Sequence, residues 1–221
     1  MVRPIKPFAK VYRPVTPNPI FRSDDREAAF DFIAAHPFAM TAVNGENGPV
    51  SAMVPLVVNA QRTHLLGHVA RANPFWRAAQ AQSAAIAIFR GADGYVSPRY
   101  YPSKKEHGRV VPTWNYMAVE LRGKITVETK PDAMLPYITA LTDKMESHRD
   151  LPWKVSDAPS DYTAKLSRAI VGFRLEIDDI TFVRKLSQNK SAEDRQGVIE
   201  GLGISDKYQE RLLAKEMAGE E

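Results

Sequence analysis

Met117, Val119, Leu121, Ile125 and Val127 alternate with Ala118, Glu120, Arg122 and Thr126. Successive side chains of an extended strand point to opposite faces, so this period of two demands a long strand with one face on a core. Val171, Phe173, Leu175 and Ile177 repeat the pattern, and TFVRKL (181–186) reads as the partner of that second strand. Upstream, FAMTAV (38–43), PVSAMVPLVV (49–58) and HLLGHVA (64–70) are strand-like runs separated by polar turns, the first of them NGENG (44–48). Turns of that size connect antiparallel neighbours. The chain must build an antiparallel sheet.

Helices are inserted between these runs. Asp24 offers an N-cap with Glu27 three residues later, and Ala28, Phe32 and Ile33 continue an apolar face until Pro37. Asn73 as N-cap and Pro74 at the first position start a short helix, FWRAAQAQ (75–82). AAIAIF (84–89) then reads as a buried strand and YVSP (95–98) as a second, separate one. Leu135, Ile138, Leu141 and Met145 sit at helical spacing, as does SDYTAKLSRA (160–169). Ser191 caps AEDRQGVIEGL (192–202), and DKYQERLLAKEM (206–217) follows. Together these predict an α+β protein on an antiparallel β-barrel, with peripheral helices and a helical C-terminal tail. Residues 1–22 hold five of the 16 prolines and read as an extended arm. The barrel domain is expected over 23–202 and the C-terminal helix over 203–221.

The absence of cysteine from the 221 residues excludes disulfides, thiolate metal sites and cysteine nucleophiles. The proline-rich start lacks the apolar core of a signal peptide, and no apolar run reaches the roughly 20 residues of a membrane span. A cytoplasmic protein is the expectation. A net charge of +4 suits an anionic ligand, while basic residues scattered through strands and loops give DNA binding only weak support.

Three segments carry candidate chemistry. SPRYYPSKKEHGRVVPTWNY (97–116) packs four aromatic rings, five basic groups and three prolines into one stretch. Tyr100, Tyr101, Trp114 and Tyr116 can wall a flat ligand. Lys104, Lys105, His107 and Arg109 can neutralise charge, although a tip such as KKEHGR usually just faces water. Thr113 and Asn115 can hydrogen-bond a ring edge or a phosphate. In HVARANP (68–74), Arg71 and Asn73 stand where a strand gives way to a helix, a position suited to phosphate, or else merely to capping. In KLSQNKSAED (185–194), Lys185, Gln188, Asn189 and Lys190 crowd ahead of the helix capped by Ser191. Their donors and acceptors suit a heterocycle edge, or equally a polar connection. His64 and His68 would lie roughly 13 Å apart on a strand, too far to share a metal ion. Neither a GxSxG hydrolase signature nor a GxGxxG dinucleotide fingerprint is present.

LLGHVARANPFW (65–76), YVSPRYYPSKKEHGRVVPTWNY (95–116), PWKVSDAP (152–159), AIVGFRLEI (169–177) and KLSQNKSAEDRQGVIEGL (185–202) together resemble the PaiB family of FMN-binding negative transcriptional regulators. The resemblance implies an FMN-binding split β-barrel related to the pyridoxamine-phosphate-oxidase-like flavoproteins, paired as a homodimer with FMN at the interface. It implies that His68, Arg71, Asn73, Tyr101, Lys104, Thr113, Trp114, Asn115, Lys185, Gln188, Asn189 and Lys190 form the cofactor site. In that picture Arg71 takes the phosphate, Trp114 lies by the ring system and Gln188, Asn189 and Lys190 close the site. No catalytic residue and no metal site are expected. Two departures stand out. The arm ending VYRPVTPNPIF is longer than the family's MYxPxxF start, and AMVPL (52–56) stands where the family commonly reads THLPF, putting Met53 in place of an imidazole. Two other functions fit the same fold: a flavin-dependent reductase or oxidase of small molecules, and a haem binder using His68 or His107.

Overall fold

The computed structural model describes residues 18–219, so most of the expected N-terminal arm lies outside the described residues. The elements run β1 (Arg22–Ser23), α1 (Arg26–Ala35), β2 (Phe38–Gly45), β3 (Gly48–Pro55), β4 (Val57–Val58), β5 (His64–Ala70), α2 (Phe75–Ala81) and β6 (Ala84–Val96). They continue α3 (Lys104–His107), β7 (Thr113–Glu128), α4 (Leu135–Glu146), α5 (Ser160–Ser167), β8 (Ile170–Glu176), β9 (Asp179–Lys185), α6 (Ala192–Gly203) and α7 (Tyr208–Ala218). The sheet follows the order β3-β2-β6-β7-β8-β5-β4, with β9 pairing β1 and β7. The registers β2–β3, β2–β6, β5–β8 and β7–β8 are all antiparallel. This is the antiparallel α+β class expected from the alternation and the inserted helices.

The chain groups into two compact units that share β6 and β7. The larger comprises residues 25–91 and 118–180. Its core is built from the inward positions of the strands, among them Val54, Leu65, Phe89, Leu121 and Leu175, with the Phe75 and Phe173 rings 5.6 Å apart. The second comprises the described residues up to Asp24, 92–117 and from Thr181 onward. There α6 and α7 bury Val198, Leu202, Leu213 and Met217.

Four local readings change. The α1 cap is Asp25, whose Oδ1 accepts from the Ala28 N–H at 2.9 Å, rather than Asp24. α2 begins at Phe75, and Asn73 Oδ1 accepts the Phe75 N–H at 2.9 Å. The two strands read at 84–89 and 95–98 are one strand, β6, running through RGADG. Its glycines are sites of close approach: a Cβ on Gly91 would come within 2.7 Å of the Phe32 ring, and one on Gly94 within 3.0 Å of the Glu210 side chain. Finally, β9 is not the partner of β8, which pairs with β5 and β7. At the bend between them the Ile177 N–H donates to Thr63 O and the Asp178 N–H to Arg122 O, so the chain turns away instead of folding back. Gly123 makes that bend possible, since a Cβ there would lie 1.7 Å from Glu176 O.

Candidate functional site

In the second unit the start of β7 and the end of β9 bring PTWNY and KLSQN together. Lys185 Nζ donates to Thr113 Oγ1 at 2.7 Å. Asn115, only 1% exposed, donates through Nδ2 to Ser187 Oγ at 2.8 Å and lies 3.5 Å from Met217 Sδ. Ser187 holds a left-handed backbone (φ 62°), a conformation costly outside glycine and common where a loop is shaped for a task. Two features of this corner are unsatisfied. Asn115 Oδ1 is buried with no hydrogen-bond partner. Lys185 has a hydroxyl for its partner and no carboxylate within ion-pair distance among the described residues, and burial pulls its pKa below the usual lysine value.

The tyrosine-rich loop is latched to α6. Asp194 receives the Ser103 N–H at 3.1 Å and the Ser103 hydroxyl at 2.7 Å, while its own N–H is held by Ser191 Oγ at 3.1 Å. Gly197 and Gly201, one helical turn apart, let the loop lie on the helix: added Cβ atoms would come within 2.1 Å of Tyr100 O and 2.3 Å of its ring. Lys190 Nζ sits 4.9 Å from the centre of the buried Tyr101 ring, whose hydroxyl has no hydrogen-bond partner. Burial and the nearby Asp194 carboxylate push the Tyr101 pKa up. Trp114 is 54% exposed and meets Tyr95 edge-on at 6.0 Å.

Other expected residues do different work. Gln188 clips its own loop, accepting the Leu186 N–H at 2.8 Å and donating to Arg184 O, so its amide is turned away from a ligand edge. Asn189 is exposed, and Lys104 stands on the short exposed helix α3 with Lys105 and His107. His68, Arg71 and Asn73 belong to the larger unit. Arg71 donates from Nε to Arg168 O at 2.7 Å and from Nη2 to Thr129 O and Ile170 O at 2.8 and 2.9 Å. Its guanidinium therefore ties the backbone at 129 and at 168–170 to its own segment, and Asn73, one residue ahead of the Pro74 cap, accepts the first N–H of α2. His68 is half-buried on β5, its Nδ1 without a hydrogen-bond partner and its pKa lowered by burial. Sequence reading passed over Asp194 and Ser187. For the latch, the available signal was the Gly197–Gly201 spacing, a small-residue stripe that invites close contact.

The larger unit also presents an apolar sheet face. Phe38, Met40 and Met53 are 60%, 38% and 56% exposed, and the β2–β3 register pairs Met40 with Met53 and Phe38 with Pro55. Ile88 of β6 lies beside Met40 in the same layer.

The family described as "Putative FMN-binding domain" matches residues 16–179, about three quarters of the chain. A Bacillus subtilis protein named "Protease synthase and sporulation protein PAI 2" is 31% identical over 200 residues, covering 90% of this chain and 92% of that protein. This chain belongs to the PaiB family. An uncharacterised family relative from Aspergillus fumigatus is 32% identical over 77% of this chain and 84% of its own length. Among solved structures, the FAD and heme binding protein of Mycobacterium smegmatis aligns with a TM-score of 0.58 at 20% identity, covering 80% of this chain and 78% of that one. The flavocytochrome Anf3 of Azotobacter vinelandii aligns at 0.56 and 15% identity, covering 80% and 75%. These place the PaiB-family chain in the split-barrel fold.

Proposed function

We propose that this protein is a cytoplasmic, homodimeric FMN-binding split barrel that acts as a negative regulator of transcription, directly or through a partner. The observation that carries the FMN reading is the corner where β7 meets β9. A buried acceptor without a donor, Asn115 Oδ1, stands beside Lys185, an ammonium with no carboxylate partner among the described residues. An isoalloxazine edge offers one N–H donor among carbonyl and ring-nitrogen acceptors, and so matches an acceptor beside a cation. Asn115 would take the N–H, Lys185 and Thr113 would face the acceptors, and the exposed Trp114 ring would cover a flat face. Tyr101, held against Lys190, would bound the far side. Arg71, in the larger unit, has only its Nη1 nitrogen left over from its carbonyl bonds to offer a phosphate.

The homodimer reading is supported by the open face of Phe38, Met40 and Met53. A second copy covering that face would remove it from water, and FMN would lie where the copies meet, as in the family picture. The regulator reading is supported by family membership and by the sporulation protein among the relatives.

The deciding experiment is a visible spectrum of freshly purified protein, before and after FMN addition and gel filtration. Retained flavin bands are expected; a colourless protein that also refuses added FMN would sink the reading. FMN supplies electron transfer when bound, so NAD(P)H is then added. Rapid bleaching with turnover would favour the reductase function over regulation, and a Soret band on adding haemin would favour haem.

A further inference from the structure

β9 carries two cations in succession. Consecutive strand residues leave opposite faces, so Lys185 turns to Thr113 while Arg184 turns the other way, on the side of Phe182. On that side lies a cavity of about 480 Å3. Arg184 and Arg195 both line it, against one carboxylate among the described residues, Glu216. Arg22 also lines it, but its register pairs it with Val183 rather than with Arg184. Phe21, Leu186 and Met217 supply apolar wall.

Arg195 is partly committed, donating through Nη2 to Met217 O at the end of α7. Arg184 is not: its Nε is buried with no hydrogen-bond partner. A buried guanidinium nitrogen left unpaired is costly unless a ligand completes it. Two guanidinium forks present more donors than a carboxylate's two oxygens can use, whereas a phosphate group with three terminal oxygens accepts from both.

We infer that the cavity bounded by Arg184, Arg195 and Phe21 is a binding site for the phosphate group of a small phosphomonoester with an apolar portion. Such a group could come from a separate metabolite or from the flavin itself, and one experiment separates the two. Phenyl phosphate is titrated calorimetrically into the full chain as purified. Binding is expected, and Arg184→Gln should weaken it by about tenfold or more, the loss of a charged hydrogen bond. Glu216→Gln should tighten it by about two- to fivefold, since it removes a repelling charge from a partly exposed site. That gain is a result a misfolded variant could not give. The titration is then repeated on protein saturated with FMN or with riboflavin. Competition by FMN alone assigns the phosphate to the flavin; binding to both forms assigns it to a second ligand. Only this second arm rests on the flavin reading, so a protein that takes no flavin leaves the first arm intact. No heat with wild-type protein, or equal affinity in wild type and both variants, overturns the site.

Discussion

Met53→Glu tests the proposed dimer face most sharply. Fully burying a Phe or Met side chain stabilises by about 1.5–3 kcal/mol, and Phe38, Met40 and Met53 each keep roughly half of their surface in water. Covering the remainder gives about 1 kcal/mol per residue, or about 6 kcal/mol for three residues in each of two copies. In an isologous interface every substitution counts twice. Met53→Glu therefore removes about 2 kcal/mol of apolar burial per dimer and sets a carboxylate from each copy into an apolar layer beside Met40, a comparable further cost. The total of about 4 kcal/mol weakens association by roughly three orders of magnitude. Sedimentation velocity over a dilution series measures it, with Met53→Leu as a volume-conserving control that should keep the dimer. FMN fluorescence in the same series should rise as the dimer dissociates. Wild-type protein that sediments as a monomer throughout, or a glutamate variant with the wild-type dissociation constant, refutes the argument.

Arg71→Ala removes three charge-assisted bonds to carbonyls and should lower unfolding free energy by about 2–4 kcal/mol in denaturant titration. Its FMN affinity, measured far below the melting temperature, should fall more than that of Lys105→Ala; equal losses would remove the phosphate role from Arg71. Lys185→Met should weaken FMN binding by at least about tenfold in a fluorescence titration, and an unchanged affinity would detach β9 from the flavin site. Gly197→Ala sets a Cβ against Tyr100 O, a backbone atom that cannot step aside, so the overpacking cost of about 1–3 kcal/mol should exceed the helix-propensity gain of about 1 kcal/mol. A stabilised variant in thermal unfolding would contradict the close approach. Because burial lowers the pKa of folded His68 below its unfolded value near 6.5, its contribution to stability is full above about pH 6.5 and is lost as pH falls through the folded value. His68→Gln should flatten that acid limb in unfolding experiments across the range, and an unaltered limb would show that His68 does not titrate there.

The strands that alternate strictly, β7 and β8, were legible because one buried face forces the pattern on the sequence. The apolar sheet face was partly legible too: FAMTAV and SAMVP carry apolar residues at both alternating positions, the mark of a strand covered on both sides. That Met40 faces Met53 needed the register, which local sequence does not contain. The continuity of β6 was hidden because its glycines answer to Phe32 and Glu210, residues far away in the chain. At the site, residue types pointed to the right segments but not to their work. Arg71 looks like an anion ligand until its three carbonyls are in view, and Gln188 looks like a heterocycle reader until it is seen closing its own loop. Arg184 drew no notice because the meaning of its neighbour Lys185 depends on strand parity, and parity follows only once β9 is paired.

The bond between Asn115 and Ser187 has a consequence for how this protein should be cut. The family match ends at residue 179, whereas Asn115 depends on a partner eight residues beyond that point and Thr113 on one at 185. A fragment cloned to the boundaries of the shared segment would strip β9, α6 and α7 from the strand they cover, baring Asn115 and leaving Tyr100 without the helix it rests on. The family match is thus shorter than the segment that folds, and an expression fragment of this protein should run through α7.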